Sequence, residues 1–244
     1  TERIIMPLPT IATPTYELEL PSTGKKVKYR PFLVKEEKLL VLALETESTK
    51  DITTAIKNVL KNCIQTRGIK VENLPTFDIE YLFLNIRGKS VGEDIEVNLI
   101  CPDDDVTQVP TTINVDDIKI QKNEKHTNKI KLDDNLMMEM KYPSLDQFIR
   151  SNFDFTEDSN VDQSFDLIAA CIDKIYNEEE VWSTSDCTKK EVRDFLEQMN
   201  SMQFKEIESF FETMPKLSHS IKIKNPKTKV ESTVVLEGLS SFFA

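Results

Sequence analysis

Polar and apolar residues change period several times along this chain, and each change marks an element. Tyr16, Leu18 and Leu20 alternate with Glu17 and Glu19; Val27 and Tyr29 alternate with Lys26, Lys28 and Arg30. A period of two predicts strands. Pro21-Ser22-Thr23-Gly24 between them is turn chemistry. Antiparallel pairing would set Glu17 and Glu19 opposite basic residues. Pro31 breaks the second strand, and a helix rich in Leu and Ala follows over 34–45. Ile52, Ala55, Ile56, Val59, Leu60, Cys63 and Ile64 then line one face of a second helix, with Asp51 or Thr49 as its cap.

The stretch 76–102 reads as the centre of the fold. Thr76 is the expected N-cap, with Asp78 and Glu80 near the positive pole. Phe77, Tyr81, Leu82, Phe83, Leu84 and Ile86 make this helix apolar on more than one side, as in a helix covered by neighbours. Gly88 is its expected end, with Arg87 and Lys89 at the negative pole. Ile95, Val97 and Leu99 then alternate with polar residues as a strand. An acidic turn over 102–110 leads to a second strand over 111–120.

The order then recurs. Ile130 and Leu132, a turn at Asp133-Asp134-Asn135, and Leu136, Met138 and Met140 predict another hairpin. It ends in Lys141-Tyr142-Pro143, much as the first ended in Lys28-Tyr29-Arg30-Pro31. Helices are expected from Ser144 with Leu145, Phe148, Ile149 and Phe153, and over 161–176 with Val161, Phe165, Ile168, Ile172 and Ile175. Two more start at the capping box Thr188-Lys189-Lys190-Glu191 and at Ser201. A final hairpin turns at Asn225-Pro226-Lys227-Thr228. The fold class is α+β, with antiparallel hairpins packed against helical layers. The expected organisation is an extended arm over 1–14, one half over 15–120, a second over 128–239 and an apolar tail over 240–244. The halves are read as a tandem duplication of a hairpin–helices–hairpin unit.

Composition narrows the function. A chain of 244 residues can hold one or two domains with a substantial core. The net charge of −11 argues against nonspecific nucleic-acid binding and favours basic protein surfaces. No apolar run approaches the roughly 18–20 residues of a membrane span. No basic flank followed by a long apolar core opens the sequence, so no signal peptide is expected. Cys63, Cys101, Cys171 and Cys187 include no CxxC pair. Cys63 and Cys171 fall on predicted apolar faces, where reduced cysteine acts as a small hydrophobe, and this usage fits a reducing cytosol.

Motifs of catalysis and ligation are incomplete. Gly24-Lys25 is followed by Lys26 rather than Ser or Thr, and Glu19 stands where a P-loop needs glycine. Asp103-Asp104-Asp105 lacks the glycine and distal glutamate of a calcium loop and reads as a solvated turn. Cys101-Pro102 could open a zinc knuckle, but Asp104 stands where a CxxC would end, and His126 and His219 are the only histidines. Neither histidine has a local nucleophile. His219 reads as a polar residue beside a strand. No catalytic residue, metal or cofactor is expected.

The block TFDIEYLFLNIRGKSVGEDIEV, residues 76–97, resembles the baseplate hub family of T4-like contractile-tailed bacteriophages. YELELPSTGKKVKYRPFLVKEEKLL at 16–40, KIKLDDNLMMEMKYPSLDQF at 129–148 and LEGLSSFF at 236–243 resemble further blocks of that family. The resemblance implies a non-enzymatic structural or assembly protein of the tail baseplate hub. It implies a location in the virion tail baseplate or in assembly intermediates in the host cytoplasm. Expected partners are other hub and tail proteins and further copies of the chain, with no nucleic acid and no membrane. One alternative is a transient assembly factor absent from the mature virion; another is a tail-associated hydrolase. The candidate partner-binding residues are apolar positions that are hard to cover: Ile4, Ile5, Met6, Leu8 and Ile11 in the arm, Trp182 in a polar loop, and Leu239, Phe242 and Phe243 in the tail. Each terminal phenylalanine left in water forgoes about 1.5–3 kcal/mol. Burial on the chain's own core and burial on a partner both satisfy that requirement.

Overall fold

The computed structural model describes residues 11–46, 48–145, 147, 161–238 and 241. The strands are β1 (Tyr16–Glu19), β2 (Lys26–Tyr29), β3 (Asp94–Ile100), β4 (Gln108–Asn114), β5 (Lys119–Gln121), β6 (Lys129–Lys131), β7 (Met137–Met140), β8 (Ile172–Tyr176), β9 (Val181–Ser183), β10 (Lys216–Lys224) and β11 (Glu231–Glu237). The helices are α1 (Val34–Glu45), α2 (Thr49–Cys63), α3 (Thr76–Val91), α4 (Val161–Ala170), α5 (Lys189–Glu197) and α6 (Ser201–Thr213). The strands form small antiparallel sheets: β1-β2, β3-β4, β11-β10-β5 and β6-β7-β8-β9. The fold is α+β, as its patterning predicts.

Helix α3 is the centre of one hydrophobic cluster. Ten of its sixteen residues are buried. Ile79, Leu82, Leu84 and Ile86 pack with Ile52, Ile56, Val59 and Leu60 of α2 and with Ile95, Val97 and Leu99 of β3. The first hairpin joins through Leu18, Leu20, Val27 and Tyr29, and its register sets Glu17 opposite Lys28 and Glu19 opposite Lys26. Buried Asp78 ties its turn to α3 by accepting from the Ser22 amide at 3.0 Å and from the Ser22 hydroxyl. A second cluster gathers Ile130, Met138, Met140, Ile172, Leu196, Ile207 and Phe210. The closing hairpin β10–β11 completes the first cluster: β10 pairs with β5, and Leu217, Ile223 and Leu236 are buried beside α3 and its partners.

Between the clusters sits His126. Its Nδ1 lies 3.0 Å from the Thr213 hydroxyl and its Nε2 2.9 Å from the Tyr142 hydroxyl. Thr213 donates its own proton to the Ser209 carbonyl, so Nδ1–H donates to Thr213 and Nε2 accepts from Tyr142. The ring packs against Tyr142 and Phe210, and Phe77 of α3 meets Tyr142 edge-on with centroids 5.0 Å apart.

Several elements differ from the pattern-based expectation. Helix α3 begins with Thr76 rather than being capped by it; Pro75 holds the cap position and has no side-chain acceptor to offer the free amides. Gly88 lies inside α3, and the helix ends at Gly92, whose φ of 122° suits glycine alone. A Cβ at Gly88 would stand 3.2 Å from a Val115 methyl, so the glycine serves close packing. Ser48, not Asp51 or Thr49, caps α2 by accepting from the Asp51 amide. The expected helix over 161–176 ends at Ala170, and Ile172–Tyr176 becomes β8, hydrogen-bonded to β7 and β9. The expected strand over 111–120 breaks at a single-turn helix, Val115–Asp117, and its remainder leaves the hairpin as β5. His219 lies in β10, the central strand of its sheet, opposite Leu236. The box at Thr188 does open α5; α6 begins at Ser201 as expected, with Asn200 before it as the cap, accepting from the Met202 and Gln203 amides. Phe148, Ile149 and Phe153 of the helix expected from Ser144 lie outside the described residues.

Candidate docking surfaces

Among the described residues, α1 carries more exposed large apolar side chains than any other element. The helix is anchored from beneath by an ion pair. Glu36 is fully buried, accepting from Arg30 Nη2 at 3.0 Å and from the Leu33 amide at 2.8 Å. The Leu33 contact is half of a capping box. Burial alone would raise the Glu36 carboxyl; the Arg30 hydrogen bond, the Leu33 amide and the Arg30 charge outweigh it and hold the pKa below its ordinary value. Glu36, Leu40 and Ala43, at helical spacing, face inward. The rest of the helix faces water. Leu33, Val34, Leu39, Val41, Leu42 and Leu44 are 39 to 79% exposed. Scattered exposed leucines are ordinary, but an exposed cluster of this kind marks an interaction surface. A helix apolar on every side belongs in an interior. Its exposed charges, Lys35, Glu37, Lys38 and Glu45, sum to zero within a chain of net charge −11.

The second surface is the edge strand β9. Trp182 is 42% exposed and Val181 65%. Trp182 was expected in a loop; it pairs instead with Ile175 across β8–β9. Three residues is a short edge, and Glu178, Glu179 and Glu180 precede it, which discourages further strand pairing. The exposed side chains, rather than the strand backbone, are what this edge offers.

Of the other predicted contact residues, Ile11 is 89% exposed. Ile4, Ile5, Met6, Leu8, Leu239, Phe242 and Phe243 lie outside the described residues. The helix over 34–45 is expected from the sequence, but its exposed apolar surface is not. The available signal was the run Leu39-Leu40-Val41-Leu42-Ala43-Leu44, six apolar residues in succession inside one helix.

The acidic turn has a partner of another kind. Asn225, buried at the tip of β10–β11, donates through Nδ2 to both Asp103 oxygens at 3.1 and 3.0 Å and to Asp104 Oδ2 at 2.9 Å. The Thr228 hydroxyl adds a bond to Asp103. Thr107 donates its hydroxyl and amide to Asp104, and these bonds with that of Asn225 hold the Asp104 carboxyl well below the usual range. The turn expected to be solvated is thus a clasp between two hairpin tips. Beside it Cys101 is buried, and burial followed by the Asp103 and Asp104 charges pushes its thiol up, away from a ligating thiolate. Among the described residues no group of three His, Cys, Asp or Glu side chains could hold a metal ion. No helix among them is long and apolar enough to cross a membrane.

The chain matches the family described as T4 bacteriophage base plate protein over residues 13–244. It therefore belongs to that family, and its role is structural or in assembly of the phage baseplate. Comparison with curated proteins and with solved structures gives no match.

Proposed function

We propose that this protein is a subunit of the central hub of the baseplate of a contractile-tailed phage. It acts by surface complementarity rather than catalysis, in the virion tail, with other hub and tail proteins as neighbours. The hub assignment rests on the four sequence blocks at 16–40, 76–97, 129–148 and 236–243. Three of those blocks build the first cluster, and the block at 16–40 runs into α1 with its exposed Leu33, Val34 and Leu39. That helix is the observation that most favours a docking protein.

The arm residues Ile4, Ile5, Met6 and Leu8, with Ile11, and the tail residues Leu239, Phe242 and Phe243 are proposed as further anchors, with Trp182 as a lateral contact. Of these, Ile11 and Trp182 are exposed apolar groups outside both clusters; the others lie outside the described residues. Deleting residues 1–14 is expected to leave a folded protein that no longer joins hub intermediates; retained joining removes the arm from the proposal.

Quantitative mass spectrometry of purified virions beside purified hub intermediates tests the whole reading. A fixed copy number in virions, in proportion to a three-fold or six-fold hub, supports a permanent subunit. Presence in intermediates with absence from virions replaces it with an assembly factor, whose interfaces are smaller and more polar than permanent ones.

A further inference from the structure

We infer that the exposed face of α1 is a self-association site, on which a second copy of this chain docks its own α1 antiparallel to the first. This goes beyond the hub reading and stands or falls independently of it. The occupant is identified by charge. Lys35, Leu39, Leu42 and Thr46 are spaced 4, 3 and 4, which places them in one stripe along the helix. All are exposed. Lys38 and Glu45 lie seven residues apart, flanking that stripe on one side, two turns from each other.

Glu45 is misplaced for its own helix. It sits in the last turn, at the negative pole, and the last turn of α1 has no basic residue to offset it. Run a second α1 antiparallel alongside and the misfit becomes a match. Glu45 then lies beside the positive end of the second helix and its Lys38, while Lys38 of the first lies beside Glu45 of the second. The arrangement is isologous, so both ion pairs form at once by symmetry. Leu39 of each helix meets Leu42 of the other between them. A basic partner, which the chain's overall charge of −11 would attract elsewhere, gains nothing at a face whose own charge is zero.

One helix pair buries less than the roughly 800 Å² per partner typical of a stable interface. The dimer is therefore expected to be concentration-dependent. The test is sedimentation equilibrium of the full chain over a concentration series. Wild type should move from monomer to dimer as concentration rises, and Leu42→Glu should stay monomeric. Lys38→Glu and Glu45→Lys, each turning two attractions into two repulsions, should each weaken the dimer by about tenfold. The double charge swap, Lys38→Glu with Glu45→Lys, should restore wild-type affinity. These positions are exposed, and an unchanged thermal melt checks that each variant is folded. A wild type that is monomeric throughout overturns the inference. So does a dimer indifferent to Leu42→Glu, or a double swap no tighter than the single ones. If removing residues 1–10 is what first permits dimerisation, the arm is the native occupant of α1, and the inference is likewise overturned.

Discussion

At the scale of single residues, Gly88 and His126 carry specific consequences. Alanine at an ordinary helix-interior glycine stabilises by up to about 1 kcal/mol. At Gly88 the new methyl would meet buried Val115 at 3.2 Å, and overpacking costs about 1–3 kcal/mol. Gly88→Ala is therefore expected to destabilise the protein in urea unfolding. In a Val115→Ala background the same change should stabilise it, since the obstructing methyls are gone, and a double-mutant cycle reads that reversal. His126 bears on pH. Burial lowers its pKa, so the unfolded chain takes up its proton first as pH falls. Its contribution to stability is fully present above the unfolded value of about 6.5 and is lost as pH falls through the folded one. The melting temperature should decline as pH falls below about 6.5, and His126→Gln should flatten that decline.

At the scale of elements, the question is what holds an apolar helix against a core it barely enters. For α1 the answer is Glu36 and Arg30. Removing Arg30 leaves the fully buried carboxylate only the exposed Lys35 ammonium, 3.6 Å away, and breaking a buried pair costs about 3–5 kcal/mol. Arg30→Ala should lose that much in denaturant unfolding. Joint replacement, Arg30→Met with Glu36→Leu, should recover most of it, because an apolar pair of similar volume carries no desolvation penalty. Hydrogen exchange in α1 would rise in the single variant and fall back in the double one.

At the scale of the molecule, the hairpin β10–β11 ties the second half of the chain to the first. Leu217, Ile223 and Leu236 bury themselves in the first cluster, and Asn225 clasps the acidic turn at Asp103 and Asp104. The three apolar side chains alone contribute about 5–9 kcal/mol by burial, comparable with the whole stability of a typical domain, about 5–15 kcal/mol. Residues 11–127 expressed alone are thus expected to be unfolded or aggregated by circular dichroism and gel filtration. Co-expression with residues 128–244 should restore a soluble complex. The tandem duplication is our proposal for how this arrangement arose: the two clasped tips occupy corresponding places at the ends of the two halves.

Local chemistry wrote much of this fold into the sequence. The β1–β2 register follows from alternation and a proline-glycine turn, and the caps at Thr188 and Asn200 from short-range hydrogen bonds. Each depends only on neighbours a few residues away. The misread strands share one cause, a partner distant in the chain. Ile172 and Ile175 satisfy a helical spacing, but β7 and β9 supply ladder bonds on both sides and draw them into a strand. Ile120 extends an apparent strand, but β10, nearly a hundred residues later, takes it into another sheet. The surface candidates show the limit most directly. Both α1 and α3 are apolar on more than one side, and a helix of that kind asks to be covered. The sequence alone determines that demand. Whether it is met is decided by the tertiary structure, because hydrophobic burial has no direction and the area left to cover a helix is a property of the whole chain. For α3 that area comes from α2, β3 and the hairpins; for α1 the described chain covers one narrow stripe and leaves the rest in water.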